Sequence, residues 1–474
     1  MSEAAQHLGI ISLLPPLIAI VLAFWTRNTV LALAVACLVG VLAMGQGPIG
    51  LPNLLKRALG TESFAWILLL ELFIGVVIAF FQRTGAIRNF TAFVEARALS
   101  RVKVQLVAWG MGLFVFFSDY FSPLFVGATL RDLSDRYRIS REKLAYIADS
   151  TSAPVSVLVP ITGWAVFIAG LLIGVGPVET AQDAMGVFVQ SIPYNVYALL
   201  AVLMVALIAT KVIPDFGPMR RAEQRAMEEG KVLRDGAEPL MSVELTGIEP
   251  YEGPDGEPVR THLGLNFVLP VLVVISVGLG SWLVGGSALT MEAFLTAAVV
   301  SGLIMRAQGI PLAEIMSTAN QGMKGVLPAI VILAFAYALN QLSKDLGTAL
   351  YIIEQTRGWL TPAVLPALVF VIAGSIAFST GTSWGTFAIM MPIAAPLAFA
   401  FTDGTTGPLV YATVAAVAGG GVFGDHCSPL SDTSVLASTG AASDHIDHIR
   451  TQLPYALCVG AVAIVAYLVV GMGF

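Results

Sequence analysis

Long apolar runs, interrupted by short polar stretches, make up most of the chain. Runs of membrane-spanning length include Gly9–Trp25, Phe64–Phe81, Leu263–Val284 and Leu453–Phe474. A helix needs about 20 mostly apolar residues to cross the hydrocarbon core of a bilayer. The composition agrees, since 57% of the 474 residues are hydrophobic and only 12% are charged. The pattern predicts an all-α integral membrane protein in contact with the lipid bilayer. The net charge of −6 argues against nucleic-acid binding.

One polar segment divides the chain in two. Residues 214–262 carry eleven acidic and six basic side chains and are rich in Gly and Pro, which is typical of a solvated connector without its own core. Similar polar motifs recur in the same order on either side of it. These motifs are "FFSDYFSPLF" (116–125) with "AFSTGTSWGTF" (377–387), and "DSTSAP" (149–154) with "DHCSP" (425–429). Internal repeats of this kind are typical of secondary transporters.

Basic residues on both sides of residues 104–138 indicate how this segment meets the membrane. A full crossing would place the two basic clusters on opposite faces, whereas a re-entrant hairpin leaves both in the cytoplasm, as the positive-inside rule favours. We therefore predict two inverted repeats, each with about five transmembrane helices, one re-entrant helical hairpin and one discontinuous helix. Both termini lie outside, and residues 214–262 form a cytoplasmic polar connector. Of the 25 Lys and Arg residues, this topology leaves outside only Lys56, Arg57, Lys344 and Arg357.

The predicted boundaries follow from the repeat. The first repeat, 1–213, contains a scaffold (9–82), a re-entrant hairpin (104–138) and a broken helix (143–174). The second repeat, 263–474, contains a scaffold (263–343), a re-entrant hairpin (362–402) and a broken helix (407–440).

Four short polar stretches at apolar depth are the candidate ion site. Irregular backbone is tolerated in a membrane only where it is buried in protein or lines a wet cavity. Freed carbonyls together with Ser, Thr and Asp oxygens suit Na⁺ better than a transition metal. We expect the hairpin tips and helix breaks to meet near the midplane, with Asp149 and Asp425 as sodium ligands. The candidate residues are Ser118, Asp119, Asp149, Ser150, Thr151, Ser152, Ser379, Thr380, Thr382, Ser383, Asp425, His426, Ser428, Asp432 and Thr433.

Several of these residues have a structural alternative. The aspartates could cap the half-helices that follow them, and Ser or Thr hydroxyls commonly bond back to their own helix. His426 is either part of the site or a satisfied structural histidine. Glu71, in the middle of an apolar run, is either a proton carrier or an inter-helix group at a subunit contact. The motif "DHIDHIR" (444–450) favours a solvated cytoplasmic turn over a pH-sensing element.

Four motifs resemble the NhaC-type sodium/proton antiporter family. They are "RISREKLAYIADSTSAPVS" (138–156), "FSTGTSWGTFAIMMPI" (378–393), "GDHCSPLSDTSVL" (424–436) and "HIDHIRTQLPYA" (445–456). The resemblance implies a homodimeric transporter in the cytoplasmic (inner) membrane of a prokaryote. It also implies that hairpins and broken helices move against the first three spans of each half. Where related sequences often carry two adjacent acids, this chain has Ser118 and Asp119.

The leading hypothesis is a Na⁺/H⁺ antiporter with alternating access to a carboxylate and hydroxyl site. A buried carboxylate binds either a proton or a cation, so Na⁺ and H⁺ compete for one group. No cofactor is expected besides Na⁺ itself. The alternative on the same fold is Na⁺-coupled symport or exchange of an amino acid or small carboxylate. An intramembrane hydrolase is a remote alternative, because no enzyme motif is convincing. A passive channel is equally remote, because titratable sites in two opposed repeats suit alternating access better.

Overall fold

The computed structural model describes residues 7–26, 28–95, 100–116, 119–160, 162–240, 248–252, 262–285, 289–356 and 361–473. Helices account for nearly all regular structure in these ranges, and the described residues form no strand beyond two isolated bridges, Val175 with Val178 and Pro239 with Asp444. The prediction of an all-α protein is confirmed.

The first half contains twelve α-helices among the described residues. They are α1 (Leu14–Thr26), α2 (Thr29–Ala43), α3 (Gly50–Leu59), α4 (Glu62–Arg83), α5 (Ala86–Glu95), α6 (Arg101–Phe114), α7 (Phe121–Arg136), α8 (Arg141–Ser150), α9 (Ala153–Ser156), α10 (Gly163–Gly170), α11 (Ala181–Ser191) and α12 (Val196–Ala209). Short 3₁₀ turns, Gly9–Leu13 and Ile192–Tyr194, precede α1 and α12.

The connector and the second half contain eleven α-helices among the described residues. They are α13 (Gly217–Glu229), α14 (Leu269–Gly285), α15 (Thr290–Ala307), α16 (Leu312–Gly325), α17 (Leu327–Leu346), α18 (Thr348–Thr356), α19 (Leu365–Thr380), α20 (Ser383–Phe401), α21 (Pro408–His426), α22 (Asp432–Gly440) and α23 (His445–Met472). A π-helical turn, Gly264–Val268, leads into α14.

Helix length and composition identify membrane spans among the described residues. Four helices are long and apolar enough to cross a bilayer: Phe64–Arg83, Ser383–Phe401, Pro408–His426 and His445–Met472. Two bent pairs, α11 with α12 and α16 with α17, pass the same test together. The protein is therefore an integral membrane protein, while the predicted ten crossings and the inverted symmetry of the repeats stay predictions.

Each half has a helical hairpin followed by an interrupted helix. Helices α6 and α7 pack together, as do α19 and α20. The first interruption separates α8 from the short α9, and the second separates α21 from α22. At the tip of the second hairpin Gly381 has φ +68°, and a Cβ there would lie 2.3 Å from the Leu430 carbonyl oxygen. Glycine is required because it tolerates both the left-handed backbone and this close approach.

Two large apolar cores divide the helices into groups. One core joins α1–α4 to α14–α17 and includes the second half of the first hairpin. The other joins α10–α12 to α19–α21 and α23. In the first core α4 and α16 cross with their backbones in contact, since a Cβ on Gly75 would lie 2.5 Å from the Gly322 carbonyl oxygen. The scaffold segments of the two halves therefore form one packed body.

The described part of the connector contains a helix that packs on the protein through ion pairs, which the sequence did not predict. That residues 214–262 form a cytoplasmic polar connector stays a prediction. Helix α13 packs against α8 and α23 and buries Met219, Ala222 and Ala226. Arg225 donates to both carboxylate oxygens of Glu142, at 2.9 and 3.0 Å. Three further ion pairs join the connector to the helices around it. These are Arg101 with Glu223, Lys143 with Asp215, and Arg234 with Asp447.

A second part of the connector is attached to the scaffold. The Arg83 guanidinium donates to the Glu249 carbonyl oxygen at 2.8 Å and lies 5.4 Å from the centre of the Tyr251 ring. Tyr251 N–H donates to the Arg83 carbonyl oxygen at 2.8 Å. The connector thus contacts both the scaffold and the hairpin side of the molecule.

Arg225→Ala should destabilise the protein by about 3 kcal/mol, because it leaves the Glu142 carboxylate buried without its cation. Lys231→Ala is the matched control, since Lys231 pairs with Asp235 in water and its loss should cost about 0.5 kcal/mol or less. Thermal unfolding in detergent measures both, and Glu142→Gln added to Arg225→Ala should recover part of the loss. Equal unfolding temperatures for the two single variants would contradict an ion-paired connector.

Candidate functional site

The hairpin tips and helix breaks meet in the interior. At the first tip, the Phe116 carbonyl oxygen accepts from Ser156 Oγ at 3.2 Å. At the second, the Phe378 carbonyl oxygen accepts from Ser428 Oγ at 2.7 Å. Each tip is thus bonded to the break in its own half. Their side chains also reach across the molecule and form two neighbouring buried polar centres, whose aspartates interact electrostatically.

The first centre, here named the carboxylate cluster, consists of Asp119, Asp425 and Asp432. The three residues are 4%, 2% and 7% exposed, and Asp432 interacts electrostatically with both of the others. The cluster combines residues of the first hairpin tip and of the second helix break. It therefore joins the two halves of the chain.

Few hydrogen bonds satisfy this cluster. Asp425 Oδ2 accepts from Ser383 Oγ at 2.5 Å, and Asp432 Oδ2 accepts from the Tyr120 hydroxyl at 3.1 Å. Asp432 Oδ1 accepts from Thr433 N–H at 2.8 Å. Asp119 Oδ2 and Asp425 Oδ1 are buried and accept no hydrogen bond from the described residues. Buried carboxylates that lie near one another must be neutralised by a proton or a cation, so this cluster is suited to binding either.

The second centre surrounds Asp149, which is fully buried. Its Oδ2 accepts from Ser434 Oγ at 2.9 Å, Gln452 Nε2 at 2.8 Å and His448 Nε2 at 3.2 Å. This oxygen has no acceptor capacity left for Na⁺. Oδ1 accepts no hydrogen bond among the described residues. Asp149 thus keeps one unpartnered oxygen, as Asp425 does, and differs from it in the three donors on its other oxygen. That both residues bind sodium stays a prediction, and Asp425 has the fewer competing donors.

The residues of the "DHIDHIR" motif are buried, apart from the half-buried Arg450, so the prediction of a solvated turn is wrong. His445 and His448 are 2% and 0% exposed. His445 is bonded to Ser438 Oγ at 3.0 Å and to the Pro429 carbonyl oxygen at 3.1 Å. The charges that suggested solvation are instead used inside the protein, at the start of α23.

His426 lies between the two halves in a satisfied position. Its Nε2 is 2.9 Å from Ser150 Oγ and its Nδ1 is 2.9 Å from the Tyr197 hydroxyl. Both ring nitrogens thus have hydrogen-bond partners. This favours the structural alternative for His426 over a place in the ion site.

Most of the remaining candidate hydroxyls hold the backbone. Four of them bond back to their own helix or turn: Thr151, Ser152, Ser379 and Thr380. Thr382 caps α20, and Thr433 Oγ1 lies 3.0 Å from Ser431 Oγ. Ser118 lies outside the described residues. The hydroxyls therefore shape the tips and breaks, with Ser383 the one that contacts an aspartate of the cluster.

Sequence reasoning missed the partners of the acids. Tyr120 and Ser434 lie within or beside the singled-out motifs, and His448 and Gln452 lie four residues apart on α23. That spacing places both side chains on one helix face. From this spacing, the sequence could have predicted that one face of α23 contacts a buried acid.

Glu71 is covered completely by its own chain, at 0% exposure. The alternative that Glu71 lies at a subunit contact is therefore wrong. Neither of its carboxylate oxygens accepts a hydrogen bond from the described residues.

A cavity of about 570 Å³ reaches the carboxylate cluster from one side. Glu62 and Lys344 line its exposed end, and Asp432 lines its buried end. Between them the walls carry aromatic rings and the tip of the second hairpin. The rings are those of Trp66, Tyr120, Phe167, Tyr337 and Trp384.

The profile of the Na⁺/H⁺ antiporter family matches residues 173–472. The chain belongs to this family. An uncharacterised protein of Haemophilus influenzae is 32% identical over 497 aligned residues, which cover 98% of this chain and 91% of that one. This family comprises transporters rather than enzymes, and the expected resemblance to the NhaC-type antiporters is confirmed.

Two further relatives of the antiporter match over shorter regions. The arginine/ornithine antiporter ArcD of Halobacterium salinarum is 34% identical over 31% of this chain and 29% of its own. The malate-2H⁺/Na⁺-lactate antiporter of Bacillus subtilis is 29% identical over 43% of this chain and 44% of its own.

The two polar centres should respond differently to sodium. A ligand that binds the folded state raises the unfolding temperature by mass action. We expect Na⁺, compared with K⁺ at equal ionic strength, to stabilise the wild type and Asp149→Asn but not Asp425→Asn. Thermal unfolding across a NaCl titration measures this, with Asp235→Asn on the connector as the control. If Asp149→Asn loses the sodium effect and Asp425→Asn keeps it, the sodium site lies at Asp149 and not at the carboxylate cluster.

Proposed function

We propose that this antiporter-family protein is a sodium-coupled secondary active transporter, most simply a Na⁺/H⁺ antiporter of the cytoplasmic membrane. The observation that supports it best is the carboxylate cluster, in which Asp119 and Asp425 each keep an unpartnered oxygen and Asp432 lines a cavity. Sodium and protons are then alternative ways to neutralise the same buried charge. The homologous Na⁺/H⁺ antiporters support the same cargo at low identity.

The proposed sodium site uses Asp425, Asp119 and Asp432. Hard oxygen ligands from carboxylates and hydroxyls suit Na⁺, and Ser383 supplies a nearby hydroxyl oxygen. Thr433 N–H donates to Asp432 and helps to hold its carboxylate in place. When Na⁺ leaves, a proton neutralises the cluster, so the protein carries one or the other across. The residues of the Asp149 centre hold α8, α22 and α23 together while this exchange takes place.

The second hairpin and α21 pack in a core separate from the scaffold, while α7 and α22 contact the scaffold core. We propose that the hairpins and broken helices move against the scaffold formed by α1–α4 and α14–α17. Under the predicted topology, with both termini outside, the exposed ends of α4 and α17 lie outside. The observed cavity is then an outward-facing pathway, and the ion-paired connector covers the cytoplasmic side.

Transport currents test this proposal. Proteoliposomes on a solid-supported membrane should give currents or pH changes that depend on the sodium gradient and reverse with it. Asp425→Asn and Asp432→Asn should reduce them to background, because an amide cannot alternate between proton and cation. Asp235→Asn should behave as the wild type. No sodium response at any pH would refute sodium coupling.

A second candidate keeps the site and changes the cargo to an amino acid or small carboxylate, by symport or exchange with Na⁺. The cavity supports it, because its 570 Å³ lies in the range of small-molecule pockets, about 300–1,000 Å³, and greatly exceeds the space one Na⁺ needs. Relatives named for arginine, ornithine, malate and lactate support organic cargo as a class. Flux of labelled solute under an imposed sodium gradient separates the two candidates.

A further inference from the structure

The cavity that ends at Asp432 has walls suited to an organic molecule. Trp66, Tyr120, Tyr337 and Trp384 all line it, and Trp66 and Tyr120 pack edge to face with centroids 5.5 Å apart. A bare or hydrated Na⁺ gains little from such rings compared with water. Aromatic walls instead provide apolar contact area and attract ammonium groups through the negative faces of their rings.

The buried end of the cavity has acceptor capacity and a demand for positive charge. Asp432 accepts one hydrogen bond at each carboxylate oxygen, and a carboxylate has about four acceptor sites. Asp119 and Asp425 are buried and interact electrostatically with Asp432, so a proton or a cation is favoured beside them. The end that a ligand reaches last therefore favours a cationic N–H donor.

The opposite end does not reverse this preference. Glu62 and Lys344 are exposed there and of opposite sign, so their charges offset each other and are screened by solvent. The buried carboxylates consequently determine the sign of charge that the cavity favours.

We propose that this cavity binds a solute with an ammonium group on an apolar body, the ammonium at Asp432 and the body against the rings of Trp66 and Trp384. The inference rests on the proposed transport site and names the class of its organic cargo. An ammonium there gains a charge-assisted hydrogen bond and cation–π contacts. A solute whose only charged group is a carboxylate brings a further negative charge to a cluster that itself needs neutralising.

Three probes of matched shape test the proposal: phenethylamine, hydrocinnamyl alcohol and hydrocinnamate, which are cationic, neutral and anionic. Binding is measured by calorimetry and tryptophan fluorescence on the purified full-length protein in sodium-free buffer. The amine should bind at least about tenfold more tightly than the other two. Asp432→Asn should remove that preference and leave the affinity of the alcohol unchanged.

Aromatic variants keep the test decisive if Asp432→Asn folds poorly. Trp384→Phe keeps a ring but weakens its attraction for cations, and should lower the affinity of the amine severalfold. Trp25→Phe is the matched control, since Trp25 is 80% exposed and does not line the cavity. Equal affinities for the three probes, tighter binding of the acid, or no binding at all would overturn the inference.

Sodium-driven currents from the same preparations separate this failure from failure of the proposed function. Currents without a preference for the amine would leave sodium coupling intact and refute the organic ammonium class alone. Amine binding without any sodium response would support the organic ammonium class and refute sodium coupling.

Discussion

The cost of placing carboxylates away from water is the constraint on which this structure depends. Asp119, Asp149, Asp425 and Asp432 are all at least nine-tenths buried, and an ionised carboxylate in such surroundings needs donors or a cation. The protein meets this need in two ways. Asp149 receives three donors from other helices at one oxygen and keeps the other unpartnered, whereas the three residues of the carboxylate cluster share three donors and keep two unpartnered oxygens. Hydrogen bonds at the first centre connect the two halves, and we propose that the second centre holds exchangeable charge.

The interrupted helices and close-packed tips are consequences of the same constraint. Polar side chains can lie at depth only where backbone breaks, hydroxyls and neighbouring helices satisfy them. Ser428 ties one break to its hairpin, and Ser156 ties the other. The connector adds contacts to both the scaffold and the hairpin side, through Arg83 and Glu142. If the hairpins and broken helices move against the scaffold, as we propose, contacts on the connector change as well as those at the site.

The sequence predicted the helical class and the polar stretches because apolar length and the cost of buried charge act locally. It also predicted that tips and breaks meet, from the repeated motifs. It could not identify His448 as a donor to Asp149, since the two are 299 residues apart and "DHIDHIR" has the same polarity in water or in a protein interior. The sequence missed the ion pairs of the connector for the same reason, because the charges of Arg225 and Glu142 do not indicate that the two residues pair. Helix length alone also leaves the crossing or re-entrant character of α20 undecided.

Family membership makes the molecule a transporter, but the geometry of the carboxylate cluster carries the argument for its ion. The most direct test is a structure of the protein determined at high resolution in Na⁺ and again in K⁺. Our account predicts a sodium-dependent density that contacts Asp425 together with Asp119 or Asp432. Sodium density at Asp149, or none at saturating Na⁺, would contradict it.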